Sequence, residues 1–391
     1  MAPAPDGKGA GPPICLPPIC LQDVWEYPID DFLVLGRPEA SGLYILSPSA
    51  RLIWDILKTG PPFAELVREF ASTCHIPAEL AAQDVARTLE EWRSGLLSRP
   101  RSSSLGIAAT PSAPASAGPD CFSRDYLVQG KNVRIILQTS ELAEEIAPRL
   151  ASLPAAPSAP DIIFRVVGEP DGFHIFCGQC FVGTEAGVTA ARGVLLQEIV
   201  RSCRSRESLA VFHAGACGSR SRCVVFPAGT QSGKTTLAAV LMQMGLTFYS
   251  DDSVILERDT LSVPGMPFAI MVREGSWNVL SRRFPELLDA PVVWRYGQRV
   301  RFLPPAGMKQ DGYSERVGAI VFIRFESAAA TEISALDPFQ ALLRLDQSGF
   351  WVEHNQQSIR AFLAWIQSTP SFTLTYSDVD QAAALIRDLI A

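Results

Sequence analysis

Gly233, Lys234 and Thr235 stand where a β-branched run, Val224-Val-Phe-Pro227, passes through Ala228-Gly-Thr-Gln-Ser232 into an apolar stretch from Leu237. That order of residue types predicts a strand, a tight loop and a helix. The N–H groups of such a loop and of the helix N-terminus converge on an anion, and a lysine and a hydroxyl at the helix start complete a phosphate cradle. In this reading Ala228, Gly229, Thr230, Gln231, Ser232, Gly233 and Thr236 line the phosphates. Lys234 reaches the β- and γ-phosphates of ATP, and the Thr235 hydroxyl ligates Mg²⁺. Ala228 stands in the first glycine position of the pattern.

Ser250-Asp251-Asp252-Ser253 follows the next apolar run, Leu246-Thr-Phe-Tyr249. Two adjacent carboxylates are costly to bury unless a cation or a proton donor compensates. Beside a nucleotide, one can ligate Mg²⁺ while the other accepts a proton from an attacking hydroxyl. The competing reading is a solvated turn or a helix cap. His213 ends an apolar strand shortly before the loop; it is either a structural histidine or a hydrogen-bond partner of Asp251. Arg273 suits phosphoryl oxygens and Glu274 a metal, unless both simply end a strand. Arg295, Arg299 and Arg301 form a local basic patch that reads as a solvated face. Cys177-Gly-Gln-Cys180 lies between short apolar runs, which predicts a hairpin turn rather than a redox or metal pair.

These residues need a scaffold, and the chain is long enough for two or three domains at 391 residues. With 47% hydrophobic and 19% charged residues it has a globular composition, and a net charge of −7 argues against general nucleic-acid or anionic-membrane binding. No apolar run reaches transmembrane length and the N-terminus does not read as a secretory signal. Nine scattered cysteines suggest reduced thiols and a cytoplasmic location.

Residues 1–22 are rich in proline and glycine, repeat Pro-Pro-Ile-Cys-Leu, and predict a disordered tail. Across 23–98, two short strands (Phe32–Leu35 and Gly42–Leu46) precede three helices. Ser47 caps the first helix with Pro48 at its first position; the second covers 63–72, and the third carries Leu80, Val85, Leu89, Trp92 and Leu96. Residues 99–121 are Ser/Ala/Pro-rich and predict a flexible linker. From 122 to 391 strands alternate with helices, among them 140–150, 193–202, 338–347 and 379–389, giving a mixed α/β domain.

With those residues in view, His213, the loop 228–235 and Tyr249-Ser-Asp-Asp-Ser-Val-Ile-Leu256 resemble the catalytic core of HPr kinase/phosphorylase and its relatives. Those relatives include kinases that phosphorylate a serine of lasso-type precursor peptides. The resemblance covers 122–391, with Val300-Arg-Phe-Leu-Pro304 and Pro370-Ser-Phe-Thr-Leu-Thr-Tyr376. It implies that Asp251 is the base, that His213 supports it, and that Lys234 and Thr235 hold nucleotide and metal; the residue types themselves add Asp252 and Glu274 as candidate metal ligands. The sequence departs from the family at Ala228 and Gln231 and lacks its Glu-x-Arg-Gly-x-Gly signature. The first departures bear on nucleotide affinity, the last on HPr as substrate.

Leu46-Ser-Pro-Ser-Ala-Arg-Leu-Ile-Trp-Asp-Ile-Leu57, with Asp84-Val85 and Gly95-Leu-Leu97, resembles the PqqD family of small winged-helix-like domains. These domains recognise leader peptides in pathways that modify ribosomally made peptides. The resemblance implies that a leader adds as a strand beside Leu43, Tyr44 and Ile45 and packs on Val85, Leu89 and Trp92. Together the two resemblances imply a Mg²⁺- and ATP-dependent kinase acting on a Ser or Thr of a precursor peptide, and they allow a homo-oligomer. The alternatives are a non-catalytic peptide chaperone with a nucleotide-sensing domain, an HPr-type regulatory kinase and, more weakly, a small-molecule hydroxyl kinase.

Overall fold

The computed structural model describes residues 24–29, 31–38, 42–93, 96–97, 120–204, 207–219, 221–229, 232–295, 297–306 and 313–390. The expected tail, nearly all of the expected linker, and Thr230 and Gln231 of the loop lie outside them. The chain divides into two units, one from the described residues before 107 with His354–Arg360, the other from the remainder.

The N-terminal unit opens with β1 (Trp25–Ile29), β2 (Phe32–Gly36) and β3 (Tyr44–Leu46), antiparallel in that order. β1 adds to the two expected strands; its Pro28 is tolerated because an edge strand can spare an N–H. Then come α1 (Pro48–Leu57), α2 (Phe63–Cys74) and α3 (Ala78–Arg93). Ser47 caps α1 through Ala50 N–H at 3.3 Å, with Pro48 at the first position as its fixed φ favours. Ile53, Trp54, Leu57, Leu66, Phe70, Val85, Leu89 and Trp92 bury the core, and Trp54 meets Trp92 edge to face at 5.9 Å. The Trp54 indole N–H donates to Glu26 at 3.0 Å, so this large apolar group leaves no buried donor unmet.

The second unit begins with β4 (Phe122–Val128), β5 (Lys131–Leu137), α4 (Ser140–Leu150), β6 (Ile162–Glu169), β7 (Gly172–Cys177), β8 (Cys180–Glu185) and α5 (Val188–Arg204). Its five strands form a sheet in chain order, covered by α4 and α5 around their own core. The Cys177–Cys180 pair flanks the expected hairpin turn, with Gly178 at φ 60°, where glycine carries no Cβ penalty. Helix α5 starts at Val188, not near Gly193, so this glycine lies inside the helix.

Next come β9 (Ser208–Phe212), β10 (Ala214–Gly218), β11 (Cys223–Pro227), α6 (Lys234–Gln243), β12 (Thr247–Ser250), β13 (Val254–Glu257), β14 (Ser262–Pro264), β15 (Ile270–Arg273) and the short α7 (Trp277–Leu280). The chain finishes with β16 (Val293–Arg295), β17 (Gln298–Leu303), β18 (Ser314–Phe325), β19 (Glu332–Leu336), α8 (Pro338–Ser348), β20 (Phe350–Val352), α9 (Gln356–Ser368), β21 (Ser371–Tyr376) and α10 (Val379–Leu389). Helix α9 adds to the two C-terminal helices expected. The principal sheet runs β12-β10-β11-β18-β21-β19, with β14 also on β18. β11, β18 and β21 are mutually parallel, while β10 runs against β11 and β12 on either side. The described residues therefore form a mixed α/β structure, with the second apolar core between this sheet, α6 and α10.

Candidate functional site

The principal sheet brings separated residues to one edge. β11, β12, β18 and β21 all point their carboxyl ends that way, and antiparallel β10 starts there. The loop from Ala228, the turn from Ser250, Phe325, Tyr376 and His213 consequently share one side of the sheet. The crevice beyond the carboxyl ends of parallel strands is the usual ligand position in open α/β sheets.

α6 begins at Lys234, with Gly233 at φ 92° as its cap and no side chain capping the first turn. Those N–H groups and the positive end of the helix favour an anion. Ser232 Oγ donates to Gly229 O at 2.9 Å. Buried Lys234 Nζ donates to Ala228 O, to Gly229 O at 2.8 Å and to His213 Nε2 at 3.1 Å. Burial pulls its pKa down to about 8, against the attraction of Asp252 and Asp251, and Arg273 lowers it further. Since Lys234 donates to Nε2, the His213 proton belongs on Nδ1, which lies 3.5 Å from Asp252 Oδ1. Burial and the Lys234 charge lower the histidine pKa. His213 thus pairs with Asp252 and Lys234 rather than with Asp251, correcting the expected partner.

The two carboxylates sit in a tight turn. Ser250 Oγ donates to Ser253 O at 2.6 Å and accepts from the N–H groups of Asp252 and Ser253 at 3.3 and 3.1 Å. Asp251 Oδ1 is 3.4 Å from Arg149 Nη1, and its Oδ2 accepts from Thr235 Oγ1 at 3.3 Å. Asp252 Oδ2 accepts from Arg192 Nη2 at 3.2 Å, with Arg149 Nη2 at 3.7 Å. Their environments push the pair apart. Burial raises the Asp251 pKa despite Arg149, and the neighbouring Asp252 charge adds to the rise. Burial opposes ionisation of Asp252 too, but Arg149, Arg192, His213 and Lys234 together hold it below the ordinary carboxylate value. The solvated-turn reading fails for Asp251, which is only 8% exposed, whereas the Asp252 side chain is 36% exposed.

Arg149 and Arg192 carry no motif, yet they organise the site. Both are buried, on α4 and α5, and Arg192 also binds Glu145 at 2.6 Å while Arg149 donates to Ala269 O at 2.6 Å. The available signal was charge on an apolar face: Arg149 follows Leu142 and Ile146 at helical spacing, and Arg192 precedes Leu195, Leu196 and Ile199. Beside Asp251 a cavity of about 30 Å³ is walled by Arg149, Gly193, Leu196, Phe248, Met266 and Phe268.

Other expected site residues fall elsewhere. Glu274 is paired with Arg299, with Nε to Oε2 at 2.9 Å, and is not among the partners of Asp252. Arg273 acts on Lys234 through charge, and Thr236 Oγ1 shares a hydrogen bond with Ser276 at 2.7 Å. The basic patch is not a solvated face throughout: Arg295 binds Glu145 at 3.2 Å and Arg301 stacks 4.5 Å over Trp277, leaving Arg299 exposed. Among the described residues no cluster of three or more His, Cys, Asp or Glu is arranged around a metal position, and no helix is long and apolar enough to cross a membrane. The seven described cysteines are free, and burial raises the Cys177 thiol pKa, which disfavours a reactive thiolate.

In the N-terminal unit, β3 is an edge strand, and Leu43 just before it and Tyr44 and Ile45 on it are half-buried. Val85, Leu89 and Trp92 are buried in the unit's own core at 0%, 6% and 4% exposure. Their side chains pack within that core.

Residues 33–95 match the family described as coenzyme PQQ synthesis protein D (PqqD). The matched residues lie in the N-terminal unit, and the match supports a recognition element for ribosomally made precursor peptides there. No curated protein matches the chain.

Proposed function

We propose that the second unit is an ATP-dependent kinase that phosphorylates a Ser or Thr hydroxyl of a precursor peptide held by the PqqD domain. The observation that carries the reading is the position of Asp251, buried beside a small cavity, bonded to the Thr235 hydroxyl and at the same sheet edge as Lys234 at the start of α6. Adjacent carboxylates whose environments drive their pKa values in opposite directions are suited to different roles. Asp251, raised and directed at a small cavity, is the proton acceptor; Asp252, held ionised, remains an anion throughout.

The acceptor hydroxyl enters the cavity beside Asp251, which has room for about two water molecules and hence for a CH₂OH group. Its oxygen forms a bond to the γ-phosphorus, the bond from that phosphorus to the β,γ-bridging oxygen breaks, ADP departs, and the hydroxyl proton passes to Asp251. Lys234 leaves Ala228 O and Gly229 O for the β- and γ-phosphates, and the N-terminus of α6 faces their charge. His213 and the two arginines keep Asp252 and Asp251 in place. Mg²⁺, when bound, supplies charge neutralisation at the phosphates; the Asp252 carboxylate and Thr235 hydroxyl are hard oxygen donors of the kind it takes, with most of its shell left to phosphate and water.

The deciding experiment is the intact mass of the precursor peptide after incubation with protein, ATP and Mg²⁺. A gain of one phosphoryl group that is lost on removing the leader supports both halves of the reading. ATP binding with no mass change favours a peptide chaperone with a nucleotide-sensing domain.

A further inference from the structure

Tyr376 ends β21 with its side chain 1% exposed, and its hydroxyl has no hydrogen-bond partner among the described residues. Buried phenols normally find one. Burial pushes its pKa up to about 12, so it is a donor rather than an anion. The hydroxyl stands against Gly233, where any Cβ would collide with it; the same Cβ would lie 3.7 Å from Phe325 Cβ. The unpartnered donor therefore faces the start of α6, where phosphate charge is expected.

Phe325 ends β18 and is 51% exposed, and its ring meets that of Tyr376 at 5.7 Å and 69°. The following turn is pinned to β21: Glu326 N–H donates to Tyr376 O at 2.9 Å, Ala329 N–H to Glu326 O at 3.1 Å, and Ser377 Oγ to Ala329 O at 2.7 Å. Phe325 through Ala329 line an open depression on the surface. An aromatic ring held at the carboxyl end of a parallel strand, one residue's width from the phosphate loop, is a platform for a flat ring attached to those phosphates.

We infer that Phe325 stacks the base of the nucleoside triphosphate over the Glu326–Ala329 turn, and that the Tyr376 hydroxyl donates to one of its phosphate oxygens at the start of α6. This rests on the nucleotide-binding half of the reading above. Phosphate charge and base stacking are then separable, because inorganic tripolyphosphate has the first without the second.

The test is calorimetric binding of ATP and of inorganic tripolyphosphate to the full chain and its variants, with thermal melts to verify folding. Phe325→Ala is expected to weaken ATP roughly tenfold and leave tripolyphosphate within about twofold, while Phe325→Trp retains ATP. Tyr376→Phe is expected to weaken both ligands by a similar factor, about threefold or more. Unchanged ATP binding by Phe325→Ala, or equal loss of both ligands, overturns the base platform. Unchanged tripolyphosphate binding by a folded Tyr376→Phe overturns the donor. A wild-type chain that binds neither ligand overturns the nucleotide reading itself, a different result from a variant that behaves like a binding-competent parent.

Discussion

Arg149 Nη1 lies 3.4 Å from Asp251 Oδ1, with the two side chains 4% and 8% exposed. The arginine comes from the helix layer of the five-stranded sheet and the aspartate from the end of β12, so this one pair ties two apolar cores together. Removing Arg149 leaves Asp251 buried without its cation, whereas removing Asp251 leaves Arg149 with Asp252 at 3.7 Å. Arg149→Met is therefore expected to cost about 3–5 kcal/mol in denaturant unfolding, and adding Asp251→Asn should recover part of that loss. Additive losses in the double variant would show that the pair is not coupled.

Asp251→Asn keeps volume and polarity but removes the proton acceptor. Turnover of the precursor is expected to fall about 10²–10⁴-fold, with ATP affinity within roughly threefold of the parent. For the parent, activity should fade on the acid side as pH drops through the Asp251 pKa, which burial places above the ordinary carboxylate value. Wild-type turnover by Asp251→Asn would sink the base assignment.

Lys234 makes stability and ligand affinity respond oppositely to pH. Its folded pKa of about 8 lies below the unfolded value of 10.5, so the unfolded chain binds more protons between those limits. Stability of the free protein should accordingly rise with pH across that window. Phosphate binding requires the ammonium, so above about pH 8 the ligand must bring a proton with it, weakening tripolyphosphate by up to about tenfold per pH unit. Binding isotherms and melts between pH 7 and 10 check both limbs, and Lys234→Met should remove the slope. An affinity flat across pH 8 in the parent would contradict the assigned contact.

The parts of this architecture that depend on local signals were readable in the sequence. Ser47-Pro48 marks a helix start, Gly178-Gln179 a tight turn, and residues 140–150 and 379–389 are helices with the expected bounds, because caps, turn glycines and apolar periodicity act within a few residues. The loop residues and the carboxylate pair stand at strand and helix ends that the same local patterning marks. The contacts of Arg149, Arg192, Phe325 and Tyr376 carry no local signal, since each forms only when distant elements pack: Arg149 meets Asp251 across 102 positions, and Tyr376 reaches Gly233 from a strand more than a hundred residues later. Val85, Leu89 and Trp92 show the converse. Helical spacing marks an apolar face, but it does not say whether a core or a ligand covers that face.

That ambiguity yields the last prediction, which separates core from peptide surface in the PqqD domain. Trp92 is 4% exposed and packs edge to face on Trp54, so Trp92→Ala should cost about 3–5 kcal/mol in stability. Ile45 is half-buried on β3, whose outer edge has no strand partner among the described residues, so Ile45→Glu should leave the melt nearly unchanged. A leader that adds as a strand along β3 would meet the new charge where it needs an apolar contact, and fluorescence anisotropy with a labelled leader should show a loss of roughly tenfold or more. If Ile45→Glu binds the leader as the parent does, the strand edge is not the docking site. If it unfolds instead, Ile45 belongs to the core after all and joins Trp92 on the structural side of the division.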